Sequence, residues 1–349
     1  MLSNELSKAV QILFESAQRG DRQSLDQFLA HLRPQILATC YRLLGKLDDA
    51  EDAAQEAMLS ILAGIHPAAR LHTWRPLVFG SAVKAGLLAI FERAEDQIQR
   101  QPSRTANGSP PVGRQIEPWL TGQIALQEIA DLENFPKRPV STRTSLGLIF
   151  VNLLQLLPPE ARAVYILVDL LGCDPEVAER ATQLQTPQAA EHLAFARRLM
   201  NAALSKLPTD TMLPSNPGAG KILRRLGKSL IAKDAMRAVS VFDLDAVLVM
   251  PGMGSFTGHE AIATQLSRMF MVGLAPHRIS LSEINYQPAL VGFQRKEERR
   301  RMRYFVNLVL AAAISAGAPN AGKILRVDVV TEGKMLKKIG EAARRVKAA

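Results

Sequence analysis

Apolar residues recur at helical spacing almost from the start of the chain. Between residues 5 and 30 the pattern breaks once, at Gly20-Asp21. Leu25, Phe28, Leu29, Leu32, Ile36, Leu37, Cys40, Leu43 and Leu44 then follow a 3.6-residue period that stops at Gly45, which predicts one long amphipathic helix. A second helix is predicted over 46–65. Its Asp48-Asp49 supplies the N-cap and an acidic first turn, and its apolar side is Ala53, Ala57, Met58, Ile61 and Leu62. A turn at His66-Pro67 leads into a third amphipathic stretch over 70–99.

The pattern lapses over 101–117, where Pro, Gly and Ser dominate and a linker is predicted. A weaker helix is expected over 118–133, before another polar stretch. Helical spacing returns over 145–207. Pro159 and Pro175 stand at first-turn positions, and Gly172 stands where a helix ends. The last two helices are joined by a tight turn near Gln183–Gln185, a helix-turn-helix pattern. A second linker occupies 208–220, and beyond it the period changes. A basic helix from Lys221, a short strand at Ala246–Met250 and a helix after Gly258 precede alternating stretches around 277–286, 288–295, 302–312 and 323–331. Helices followed by a run of antiparallel strands predict an α+β domain. A basic helix is expected at the C-terminal end, from Gly333.

Composition narrows the partners. Two cysteines, Cys40 and Cys173, lie far apart in apolar helical pattern, which argues against a disulfide framework or metal cluster and fits a reducing cytoplasm. No apolar run reaches the length of a membrane span, and the N-terminus shows no signal peptide, so a cytoplasmic protein without a membrane partner is expected. The net charge of +10 favours an anionic partner. The surplus is local: residues 214–349 hold 22 Lys+Arg against 10 Asp+Glu, whereas the preceding residues are slightly acidic. Arg295, Lys296, Arg299, Arg300, Arg301 and Arg303 crowd one short segment, expected to be a hairpin loop that is either solvated or a contact for nucleic acid or polymerase.

The stretch LLGKLDDAEDAAQEAMLSIL resembles region 2 of the extracytoplasmic-function sigma factors, in which a D-A-E-D-x-x-Q-E helix docks on the RNA polymerase clamp. Asp49, Ala50, Glu51, Asp52, Gln55 and Glu56 match it. Thr73 and Trp74 match the family's T-W-L-x-x-I-A-x-N helix, which opens and reads the −10 element. Residues 156–199 resemble region 4: Leu157, Pro158, Arg162, Ala163, Val164, Leu167, Asp169 and Gly172 fit L-P-x-x-x-R-A-V-x-x-L-x-D-x-x-G. Ile116 to Leu120 resembles the linker motif of the subgroup with a C-terminal SnoaL-like domain. The resemblance implies two all-α sigma modules, region 2 at 1–100 and a region 4 helix-turn-helix at 145–207. They are joined by a linker at 101–144 and followed by an α+β SnoaL-like cone domain at 221–349. It implies core RNA polymerase and promoter DNA as partners, no cofactor and no enzymatic activity. Polymerase binding falls on Asp49, Glu51, Asp52, Gln55 and Glu56. DNA binding falls on Thr73, Trp74 and Lys84, and on Thr186, Gln188, Glu191, His192, Arg197 and Arg198 of the recognition helix.

The sequence departs from that pattern in ways that matter physically. The −10 helix runs into Phe91-Glu92-Arg93-Ala94-Glu95-Asp96 instead of a basic cluster. Glu191 replaces a basic residue, and Phe195-Ala196 replaces a His-Arg pair. Fewer phosphate contacts follow. In the last domain the glycine-rich D-G-G-G-K loop becomes Met250-Pro251-Gly252-Met253-Gly254, and N-P-D-K-L becomes 331–336. Two alternatives stay open: a sigma-derived regulator that docks on polymerase but reads promoters weakly, and a C-terminal domain that takes a small ligand. Polar groups for the latter are His259, Glu260, His277, Glu283, Tyr286 and Asp328.

Overall fold

The structure, a computed structural model, describes residues 2–65, 73–100, 147–204, 211–212, 215–250, 253–285, 287–298, 301–316 and 322–330. The expected linker with its 118–133 helix, the His66-Pro67 turn and the C-terminal basic helix lie outside the described residues. The chain divides into two compact units, one holding the helices up to Leu204 and the other the residues from Thr211 onward. Among the described residues no helix is long and apolar enough to cross a membrane.

The helical unit begins with α1 (Leu2–Gln18), α2 (Arg22–Leu44), α3 (Leu47–Gly64) and α4 (Arg75–Arg100). Asp21 caps α2 by accepting from the Gln23 N–H. Ser24 also donates to it, which together with these contacts holds the Asp21 carboxyl below its usual value. Gly45 ends α2 at φ 72°, a left-handed turn that an L side chain resists. The cap of α3 differs from expectation: Lys46 is the N-cap and Asp48-Asp49 already lie in the first turn. The buried side of α3 is Ala50, Ala53, Ala54, Ala57 and Ile61, small residues that let it sit close to its neighbours. Phe14, Phe28, Trp74 and Phe79 form one aromatic chain, with centroids 5.4, 6.4 and 5.8 Å apart.

The same unit continues through α5 (Leu148–Gln155) and α6 (Pro159–Tyr165), which runs into a π-turn at Ile166–Leu170. Then come α7 (Pro175–Thr182) and α8 (Thr186–Leu204). Gly172 has φ 65° and Gln183 φ 59°, so both expected helix stops are built in left-handed backbone. The two sets of helices are joined by a buried cation. Arg162 of α6, 1% exposed, donates to the Leu43 carbonyl at the end of α2 and to the Gln155 side chain. It also donates to the Leu157 carbonyl at 2.9 Å and the Gln155 carbonyl at 3.3 Å. Gln155 in turn donates to the Arg42 carbonyl at 3.1 Å.

The second unit has α9 (Pro217–Ile231), α10 (Ala235–Val239), β1 (Phe242–Met250), β2 (Gly254–Thr257), α11 (His259–Met271), β3 (Arg278–Ile284), β4 (Gln287–Glu298), β5 (Arg301–Ile314) and β6 (Ile324–Val330). The sheet order is β2-β1-β6-β5-β4-β3. It is mixed, not purely antiparallel as expected, because β1 and β6 pair in parallel. Helix α9 lies on β3 and β4, and α11 on β1 and β2. Gly227 makes the first approach possible: a Cβ there would collide with Ile279 and Leu290. The core between helices and sheet is built from Leu223, Leu226, Ile262, Leu266, Leu248, Leu290, Leu310 and Val327, among others. Two further corrections concern the strands. β2 has no counterpart in the sequence reading, and the described part of the basic segment is strand: β4 and β5 pair as far as Glu298↔Arg301, with Arg299 and Arg300 outside the described residues.

Two outcomes follow. Arg162→Met removes a guanidinium that several carbonyls depend on and should lower stability by about 3 kcal/mol, read by urea unfolding of the helical signal. Arg162→Lys should rescue little, because an ammonium cannot span the same acceptors. Burial pushes the Cys40 thiol up to about 12, whereas Cys173 is half-buried. At about pH 8, maleimide should therefore label Cys173 first and reach Cys40 only as fast as the helical unit unfolds.

Candidate functional site

The acidic helix is where sequence and structure meet most directly. Asp48, Glu51, Asp52, Gln55 and Glu56 of α3 are exposed, while Asp49 is half-buried and pairs with Arg93 of α4. The acidic end of α4, which looks adverse for DNA, thus contributes a cation that braces the acidic helix. The same outer face continues into Leu59 and Leu62, 60% and 39% exposed. Placing Leu62 on the apolar side was wrong: the narrow Ala face leaves no room for it in the core. Positions 48, 51, 52, 55, 59 and 62 follow the i, i+3, i+4 spacing of one helix face. The stripe is therefore acidic at its N-terminal end and leucine-bearing toward its C-terminal end. Its period was legible in the sequence; its exposure required knowing how thin the buried face is.

The expected base-contacting residues separate into different environments. Thr73 and Lys84 are exposed. Trp74 is 1% exposed, with Phe28 and Phe79 against its ring and the Arg75 guanidinium 5.2 Å from its centroid. An indole packed in this way has no free face for a base, so the reading of Trp74 as a stacking wedge is corrected to a core role. In the sequence an aromatic at the start of a helix serves either purpose, and only its neighbours decide. Leu88 and Phe91 are exposed on α4 together with Lys84.

On the helix-turn-helix, Thr186, Gln188, Glu191 and Arg198 are exposed and His192 is half-buried. Gln188 folds back to accept from the Gln185 N–H at 3.2 Å, stabilising the first turn of α8. Arg197 makes a fork to Asp169: Nε at 2.9 Å and Nη2 at 2.7 Å from its two oxygens. The Asp169 hydrogen bonds and charge raise Arg197 further above its ordinary value. Burial, with Asp169 close by, pushes Tyr165 up to about 12. Arg197 therefore ties α8 to the π-turn through Nε and Nη2, while about half of its side chain stays exposed (51%). Its partner Asp169 was visible as a motif position, but not as the occupant of the guanidinium fork.

Of the polar groups considered for a ligand in the second unit, three have separate partners. His259 meets the Phe242 carbonyl at 3.1 Å. His277 accepts from the Arg295 N–H at 3.4 Å. Asp328 is held by Arg326 through contacts of 2.8–3.2 Å. Glu260 is exposed and Glu283 half-buried, and Tyr286 lies outside the described residues. Among the described residues, no two of these candidates share a hydrogen bond, and no cluster of His, Cys, Asp or Glu is suited to a metal ion.

Comparison with known proteins supplies the frame for these surfaces. The family described as sigma-70 region 2 matches residues 28–75, which takes in most of α2, all of α3 and Trp74. The chain is 29% identical over 299 residues to the ECF RNA polymerase sigma factor SigG of Mycobacterium tuberculosis, covering 80% of this chain and 78% of that protein. The crystal structure of the extracytoplasmic function sigma factor SigJ of Mycobacterium tuberculosis aligns with a TM-score of 0.55 at 16% identity, over 89% of this chain and 98% of that one, and so shares its fold. The protein is similar to the extracytoplasmic-function sigma factors, with a match to sigma-70 region 2 in its helical part and an additional mixed α+β domain after it.

Proposed function

We propose that the protein is a sigma factor: it binds core RNA polymerase, directs initiation at specific promoters in the cytoplasm, and carries its α+β domain as a regulatory attachment. One observation carries this reading. Within the sigma-70 region 2 match, α3 exposes Glu51, Asp52, Gln55 and Glu56 in line with Leu59 and Leu62. Exposed leucines beside carboxylates make a surface suited to a basic partner with an apolar pocket. The proposed role is recognition.

A second reading concerns strength. Trp74 is enclosed, Arg197 is held by Asp169, and Arg93 is held by Asp49. These engagements favour a factor whose helical modules hold polymerase firmly and DNA lightly.

Two measurements test these readings. Reversing the stripe with Glu51→Lys, Asp52→Lys and Glu56→Lys should weaken assembly with core RNA polymerase by at least about tenfold and abolish promoter-dependent transcription, while the unfolding midpoint stays close to wild type. Unchanged polymerase affinity would sink the docking assignment. For DNA, Arg198→Ala should reduce the salt slope of promoter binding by the assembled holoenzyme by about 0.9. Arg197→Ala should leave that slope alone and instead lower stability by about 1 kcal/mol. If the two variants exchanged effects, the assignment of Arg197 to structure would be wrong.

A further inference from the structure

Helix α9 is held against the sheet by one face and charged along the other. Its inner side, Ile222, Leu223, Leu226 and Leu230, is between 0 and 8% exposed. Asn216 caps its start by accepting from the Gly218 N–H at 2.8 Å. With Gly227 pressed onto Ile279 and Leu290, the helix cannot roll on the sheet without opening the core. Lys221, Arg224, Arg225 and Lys228 lie on the outer side, and all four are exposed. Their spacing, i, i+3, i+4 and i+7, makes one stripe that runs about 10 Å along the axis. Gly220 leaves room beside it: a Cβ there would come within 3.3 Å of the Arg224 Nη2.

The charge on this stripe works against its own helix. The α9 sequence, PGAGKILRRLGKSLI, contains no carboxylate. Every i, i+3 or i, i+4 pair within the stripe sets cation against cation, an arrangement that weakens a helix. Elsewhere among the described residues, Arg93, Arg197 and Arg326 are each held by a carboxylate, and none of these ion pairs reaches the stripe. The stripe is also pure: between Lys221 and Lys228 these cations are the only exposed residues. The core of a protein interface is apolar and poor in charge. A single strand is held by stacking on aromatic rings, and a membrane by an inserted apolar face. The outer side of α9 offers none of these, and its apolar side is already in the core. What it fits is an anion bound through charge alone and long enough to meet a row of cations, as a duplex phosphate backbone is.

We propose that the outer face of α9, through Lys221, Arg224, Arg225 and Lys228, binds the phosphate backbone of duplex DNA independently of base sequence. The arginine forks match phosphate oxygens in pairs, and the lysines serve as point charges. Phosphates set among them relieve the repulsion within the stripe. Because its inner side rests on β3 and β4, α9 meets the duplex side-on, a contact that adds affinity and position without reading bases. It is additional to the contacts of the helical modules. It rests on the sigma-factor reading only for which nucleic acid the protein meets, since duplex binding is measured without polymerase.

The test uses the full chain with a labelled duplex of arbitrary sequence, followed by fluorescence anisotropy between about 50 and 300 mM salt. Replacing Lys221, Arg224, Arg225 and Lys228 with Gln should lower the slope of log Kobs against log salt by about three to four, equally for unrelated sequences. The unfolding midpoint should not fall, because like charges have been removed from one helix face. Should that variant lose its unfolding transition, Arg224→Gln and Lys228→Gln singly should each lower the slope by about one. An unchanged slope in folded variants overturns the proposal and leaves the stripe as a solvated helix face. So does a wild-type chain with no affinity for the duplex, or one that binds a single strand or phosphatidylglycerol vesicles through these residues and not the duplex. Assembly with core RNA polymerase, measured in parallel, should be unaffected by the α9 variants; a wild-type chain that fails to assemble counts against the sigma-factor reading alone.

Discussion

A buried guanidinium cannot be left without acceptors, and Arg162 finds them in two helical modules at once. The Leu43 carbonyl belongs to the last turn of α2, where helical geometry leaves carbonyls without partners. The Leu157 and Gln155 carbonyls come from the end of α5 and the turn after it. One cation thereby satisfies the ends of two helices that are more than a hundred residues apart in sequence. Gln155 closes the arrangement on the Arg42 carbonyl and crowds Gly45, where a Cβ would come within 3.1 Å of its side chain. Gly45 is also the left-handed turn from which α3 departs. The direction of the acidic helix is thus set at a junction that the second module completes, so its exposed stripe depends on residues that never touch it.

Three cations of the helical unit are engaged within it. Arg162 serves carbonyls, Arg93 serves Asp49, and Arg197 serves Asp169. Each engagement fixes one element against another: α6 to α2, α4 to α3, and α8 to the π-turn. The residues before 214 carry slightly more Asp and Glu than Lys and Arg, so every inward cation reduces the positive surface left for DNA. The α+β domain carries an excess of twelve positive charges over residues 214–349, although Arg326 there is likewise held by Asp328.

What the sequence revealed and what it hid follow from the range of the forces involved. Gly45, Gly172 and Gln183 mark helix ends that local backbone sterics enforce, and the 3.6-residue period marks the helices between them. The tight turn between α7 and α8 was legible for the same reason. Trp74 was not, because an indole at a helix start looks the same in sequence whether it faces Phe28 and Phe79 or solvent. Leu62 misled because periodicity reports a face without reporting how wide its buried part is. The parallel pairing of β1 with β6 joins strands more than seventy residues apart, and β2 is a short edge strand at Gly254–Thr257 with only a half-buried Phe256 to mark it. Neither leaves a local trace. The basic segment read as a loop because its charges dominate the apolar alternation; strand pairing with the other half of the hairpin overrides that preference.

Net charge alone would misdescribe how such a molecule meets its partners. At physiological salt, exposed charges are felt over only about 8 Å. A partner approaching α3 therefore meets Glu51, Asp52 and Glu56 with the leucines beside them, not the +10 of the whole chain. The α3 stripe adds exposed leucines, whose burial is insensitive to salt, so that contact should persist where purely ionic ones fade.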